Sequence, residues 1–325
     1  MDQRQPLVTP PNSSSVTALP TGAPALPLRA RRGIQPRRQL TVLMFVGPAL
    51  VLIGLLVVYP AIKTIINSLY TTTGIGYNAP LSFAGLSNFQ NMTTDPVIQT
   101  AIINNILWLV IVTPVTVFLG VVFAVLFDRV PYESVAKSIV FIPMAISATA
   151  AGVIWRLMYA DDPNVGTINA VLGWFNSQPL SFLGNTSFVN FAIMGAQVWT
   201  GLGFAVIVLS AALKAIPADL TEAAKIDGAN AWQIFSRITV PLIWPTVTVI
   251  ATLTMIGVLK IFDIIYTMTG GGPAGASEVL ATRMYIESFK NANPGYGSAI
   301  AVLLLVAVIP IMALNIQRFR SEGAR

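Results

Sequence analysis

The side chains that most often carry covalent or metal chemistry are missing from this chain: its 325 residues include no His and no Cys. Ser-His and Cys-His nucleophile pairs, His and Cys metal ligands, thiol redox and disulfides are excluded together. The six lysines follow Ile62, Ala136, Leu213, Ala224, Leu259 and Phe289. None follows Gly, so the Gly-Lys-Ser/Thr phosphate loop is absent, and an ATPase built on that loop would have to be another polypeptide. Charge and hydrogen bonding remain. Lys260 and Asp263 lie three apart in an otherwise apolar run, a spacing that puts both on one helical face. They read as a local ion pair snorkelling to an interface, or as part of an outer gate. Amides and hydroxyls that could meet a neutral polar solute sit in other apolar runs: Asn104, Asn105, Thr113, Thr116, Ser147, Thr149, Gln197, Thr200, Thr246, Thr248, Thr252 and Thr254. Taken singly, each is more often a hydrogen bond between helices than a contact to solute.

These residues sit in a chain that is 54% hydrophobic and 10% charged. Its mean hydropathy is +0.72. Soluble domains carry about 25% charged residues, so this composition is that of an integral membrane protein. Six apolar stretches are long enough to span a bilayer, near 41–59, 101–127, 138–158, 191–213, 242–266 and 298–316. In lipid the backbone must be satisfied within each segment, so the expectation is an all-α protein with six transmembrane helices. The first helix is expected to continue through Pro60 towards Tyr70. With the N-terminus inside, 14 Lys and Arg fall on inner segments and 4 on outer ones. That asymmetry puts both termini in the cytoplasm of a multi-pass cell-membrane protein. The net charge of +6 is then a topology signal, and nucleic acid is not an expected partner. Residues 1–39, with seven Pro and a run of Arg, read as a disordered cytoplasmic tail retained ahead of the first span rather than a cleaved signal. Residues 40–320 form the membrane domain, and 321–325 a short C-terminal tail. Trp155, Trp174 and Trp199 fall near outer span ends, where aromatic anchoring is usual.

The inner loop between spans 4 and 5, about 214–241, is the most informative stretch. Pro217 suits a helix start, Asp219 and Glu222 sit near its positive end, and Gly228 is placed to end it in a left-handed conformation. Asn230 and Gln233 have capping-box spacing, opening a second short helix to about Ile238, after which Pro241 starts the fifth span. The loop therefore reads as a compact helix–turn–helix. Its apolar face either packs on the chain's own spans or docks a partner.

The order Glu222-Ala223-Ala224, three residues, Gly228, nine residues, Ile238-Thr239-Val240-Pro241 resembles the EAA loop of binding-protein-dependent ABC importer permeases, with Val240 where Leu is usual. Tyr59-Pro60, Gly85-Leu86-Ser87-Asn88-Phe89, Trp199-Thr200-Gly201, Phe262-Asp263 and Thr269-Gly270-Gly271-Gly272-Pro273 look like the carbohydrate-uptake branch, in the simpler six-span form of its maltose-permease-like subunit. The resemblance implies that Glu222, Ala223, Ala224, Asp227, Gly228, Ile238 and Pro241 couple the chain to an ATPase. It implies a solute pathway near Met144 and Ala148, near Thr200, Gly201 and Phe204, and near Thr254, Val258 and Ile261. It also implies a second permease subunit, two ATPase subunits holding ATP and Mg, and an external solute-binding protein, with no catalysis, cofactor or metal on this chain. An oligosaccharide or glucoside is the first expected cargo. Glycerol phosphate or another small polar solute is the alternative, and an ion-coupled carrier a more distant one, since no ionisable group falls near a span's middle.

Overall fold

The computed structural model describes residues 36–73, 80–128 and 130–322. The chain divides into two units, residues 1–57 and 58–325. Helix α1 (Pro36–Ile53) belongs to the first. A π turn, Gly54–Val58, leads to α2 (Tyr59–Asn67), and Met44–Asn67 together make 24 residues apolar enough to cross a membrane. The helix begins inside the segment read as a tail to residue 39, and the rest of that tail, residues 1–35, lies outside the described residues. At the other end α14 (Pro294–Glu322) runs into the segment read as a C-terminal tail, of which 323–325 also lie outside.

Within the second unit α4 (Pro96–Phe127), α8 (Val189–Lys214), α11 (Val240–Leu259) and α14 are the long helices. Lipid is as apolar as Leu, so burying Leu between helices gains little; close packing of small residues and interhelical hydrogen bonds hold such bundles together. Both are present here. A Cβ on Gly120 of α4 would lie 2.8 Å from that of Ala205 on α8, so glycine is what lets these helices touch. Trp108, Val112 and Ile193 pack with Ile264 and Ile265 in one core cluster, and Ala124, Leu209, Ile243 and Ile250 pack in another.

The expected third span is not one helix. It is α5 (Glu133–Phe141), a 3-10 turn at Ile142–Ala145, and α6 (Ala148–Met158), bent by 101°. Pro143 cannot donate to a continuing helix, Ile146 is extended, and the Ser147 hydroxyl caps α6 by accepting from the Ala150 amide at 3.2 Å. Among the described residues five helices are long and apolar enough to cross a membrane, or up to six if the bent pair is one span. The base of α5 is tied to the end of α8, where Glu133 accepts from Lys137 and from Lys214, the latter at 2.7 Å.

The fifth span also ends earlier than its hydropathy suggested. Helix stops at Leu259 and resumes as α12 (Asp263–Met268). Lys260 and Asp263 therefore flank a break instead of sharing a helical face, both are exposed, and no ion pair joins them among the described residues. The loop regions add α3 (Ser87–Thr94), α7 (Thr167–Trp174) and α13 (Leu280–Tyr285). They also depart from the all-helical expectation: β1 (Tyr70–Thr72) pairs antiparallel with β2 (Leu81–Phe83), in the register Tyr70 to Phe83. Tyr, Thr and Phe favour a pleated surface. The Asn88 amide fixes the hairpin by donating to the carbonyls of Ser68 and Tyr70 at 2.9 and 2.8 Å.

Candidate functional site

Three groups of residues stand out, and the first is the 214–241 loop. Helix α9 (Ala218–Ile226) follows Pro217 directly. It closes with the Ala229 amide donating to Ala224 O and the Gly228 amide to Lys225 O, at 2.9 and 3.1 Å. That pattern is a Schellman motif, which requires a left-handed residue, and Gly228 has φ +80°. Asn230 and Gln233 form the expected capping box through bonds of 2.8 and 2.9 Å. The second helix differs from expectation in one respect. The short α10 (Ala231–Ile234) runs through a π turn, Phe235–Thr239, straight into α11, giving one 29-residue rod from Ala231 to Leu259. Pro241 lies within this rod because its first turn needs no donor there: the π turn has already displaced the hydrogen-bond ladder. Glu222, Ala223, Asp227, Gly228 and Pro241 are exposed, while Ala224 and Ile238 are half-buried. Ile226 is 87% and Trp232 71% exposed, so the apolar face of the loop is left uncovered by the chain itself.

The second group is a hollow of 210 Å³ walled by α4, α8 and α11. Of the pathway residues, Gly201, Phe204, Thr254 and Val258 meet here, together with Thr116 and Gln197. Met144 and Ala148 lie instead at the exposed bend between α5 and α6, Thr200 bonds back to Gln197 O at 2.9 Å, and Ile261 is buried in the core at the break after α11. The hydroxyl of Thr254 is spent on Ile250 O at 2.9 Å. Thr116, 2% exposed, has a hydroxyl with no partner among the described residues. Glycines make the space: Gly201 and Gly257 border it, and a Cβ on Gly257 would meet nothing within 4 Å.

The third group sits at the opposite end of α11 from the loop and was not singled out as a unit from sequence. Asn104 donates to the carbonyls of Ala276 and Glu278 at 2.8 and 2.7 Å. Asn190 donates to Asn104 Oδ1 and Ala276 O and accepts from Trp108 Nε1, at 3.1, 2.8 and 3.1 Å. Asn105 accepts from the Leu280 amide at 2.9 Å. The amides that could have met a solute thus hold the 270–280 segment against α4 and α8. Beside them Arg283 bridges Glu278 (3.7 Å) and Glu287 (2.5 Å), and both carboxylates are buried. Burial pushes the Glu278 carboxyl above its usual value against the opposing pull of Arg283. The spacing Arg283 to Glu287 was visible in the sequence; their burial was not, because it depends on how α13 folds back. Trp155 and Trp199 likewise turn inward, with ring centroids 5.6 Å apart, whereas Trp174 is 80% exposed.

Comparison with known proteins agrees with this architecture. A solved chain of a bacterial ABC transporter for alginate import superposes with a TM-score of 0.76 at 21% identity, covering 88% of this chain and 96% of that one, which establishes the shared fold. The osmoprotective compounds uptake permease GgtC of Synechocystis is 44% identical over 86% of this chain and 99% of its own. The alpha-glucoside permease AglF of Rhizobium meliloti is 38% identical over 90% and 87%. The trehalose/maltose permease MalF of Thermococcus litoralis is 32% identical over 86% and 94%. Residues 100–321 match the family model described as the binding-protein-dependent transport system inner membrane component, so the chain belongs to that family of ABC importer permeases.

Proposed function

We propose that the chain forms one half of the membrane pathway of an ATP-driven importer that takes up a sugar, an oligosaccharide or glucoside, delivered by an external binding protein. In this reading both termini and the 214–241 loop are cytoplasmic, and a second permease chain completes the pathway. Two ATPase subunits hold ATP and Mg and engage α9 and its turn through Glu222, Ala223, Ala224, Asp227, Gly228, Ile238 and Pro241. The observation that carries the reading is the Schellman-closed, capping-boxed turn with its uncovered Ile226 and Trp232, a rigid knob built for a partner's cleft. Closure of the ATPase dimer moves that knob, and α11 carries the motion to the hollow holding Gly201, Phe204, Thr254 and Val258. Met144, Ala148, Thr200 and Ile261 act around the hollow, not in it. The names of AglF and MalF support a glucoside cargo.

The test is replacement of Gly228 by Val in the reconstituted importer. A β-branched residue is a genuine outlier at positive φ, so the turn should open and binding-protein-stimulated ATP hydrolysis should fall at least tenfold. Unchanged stimulation would remove the loop from coupling. A second reading, a small polar osmoprotective solute, is favoured by the name of GgtC and by a hollow of only 210 Å³. Thermal stabilisation of the matching binding protein by a panel of glucosides, glycerol phosphate and small osmolytes separates the two.

A further inference from the structure

A groove of about 520 Å³ runs between α13 and α14, walled by Phe262 and Tyr285 at one end and by Ala301, Leu305 and Val308 beyond, with exposed Lys260 bordering it. We propose that it seats one anionic phospholipid, with the phosphate on Lys260 and one acyl chain along α14. The inference rests on the membrane reading above.

Lys260 follows the last helical residue of an apolar span, and no ion pair holds it among the described residues. A second cation, Lys290, stands 5.0 Å over the ring of Tyr266, which stacks on Phe262 at 5.1 Å. Tyr rings are enriched at the headgroup level of a bilayer, and Tyr266 and Tyr285 stand at this end of the groove. From there the groove is aliphatic. Ala301 to Val308 covers about 10 Å of helix, most of the ~15 Å depth of one leaflet. Small Ala301 leaves the room an acyl chain fills. A phospholipid brings its own counter-charge to Lys260 while its acyl chain covers the apolar wall.

The test uses the importer assembled with all its subunits, in phosphatidylcholine vesicles with a trace of photoactivatable phosphatidylglycerol or photoactivatable phosphatidylcholine. The glycerol probe should label peptides spanning Ala281–Tyr285 and Ala301–Val308. Lys260→Gln should cut that labelling about fivefold, the effect of one cation near an anionic phosphate, and Lys260→Arg should keep it. Ala301→Trp, which fills the groove, should abolish labelling there. Equal labelling by the two probes, labelling indifferent to Lys260→Gln, or cross-linking of Ala301→Cys to the second permease chain would overturn the lipid site. Solute-stimulated ATP hydrolysis, measured on the same vesicles, tests the importer reading separately: its absence with the labelling pattern intact would reject that reading and leave the lipid site standing.

Discussion

At the scale of single residues, the polar atoms inside the apolar bundle decide what can be removed. Asn190 makes three hydrogen bonds, and Trp108, fully buried, has in it the only partner for its indole N–H among the described residues. Replacing Asn190 by Ala leaves that N–H without an acceptor, so the detergent-solubilised chain should lose about 1–3 kcal/mol, read as a lower melting temperature. Glu278 gives a pH signature. Its folded value lies above the unfolded one because burial disfavours its charge. The native state therefore holds the proton more tightly, and stability should be greatest near or below the usual carboxylate value of 4.5 and decline as pH rises past it. Melting curves from pH 5 to 8 should slope downward in wild type and flatten in Glu278→Gln. The sequence announced Asn104 and Asn105 as polar residues in an apolar run, but their partners, mostly backbone groups of the segments around Leu259 and Ala276–Leu280 together with the Asn190 amide, all lie on distant parts of the chain. No spacing rule reaches that far, which is why the sequence could favour bonds within the bundle over solute contacts but could not name the partners.

At the scale of elements, legibility followed how local the determinants were. The α9 turn could be read in detail, because a helix start, a left-handed glycine and a capping box are each set within a few residues. The broken third span could not, since hydropathy registers apolar length and is blind to a 101° bend. What stabilises that bend is a neighbour: a Cβ on Gly203 of α8 would lie 2.6 Å from Val140 O of α5, a backbone atom that cannot swing aside. Gly203→Ala should thus force α8 from α5 and cost about 1–3 kcal/mol. Gly257→Ala is the control, because nothing lies within 4 Å of its Cβ and the added methyl should leave the melting temperature unchanged or slightly raised. Equal losses in both variants would mean that the close approach of α5 and α8 does not hold the bend.

At the scale of the molecule, the second half of the uncovered loop and one wall of the hollow lie on one continuous helix. The rod from Ala231 to Leu259 has 29 residues, about 43 Å, with the capping box at one end and Thr254 and Val258 towards the other. Sequence reading separated these parts into a short loop helix and a span, because Pro241 looked like a boundary. Joined, they make the rod that the proposed function uses as a lever, its hydrogen-bond ladder interrupted between loop and hollow by the π turn at Phe235–Thr239 and by Pro245. A single Ala inserted after Val249 should distinguish a lever from two independent parts. It leaves α9, the Gly228 turn and the capping box untouched, while rotating Thr254 and Val258 by about 100° out of the hollow. Assembly with the ATPase subunits and their ATP hydrolysis should persist, and solute uptake in proteoliposomes should fall at least tenfold. Removing a residue at Thr252 in the same background restores the original phase and should recover uptake, since only the rotation of the helix face, not its sequence, was at fault. Uptake that survives the insertion would mean that the hollow and the loop work through separate elements, and that α11 is a scaffold and not a transmission rod.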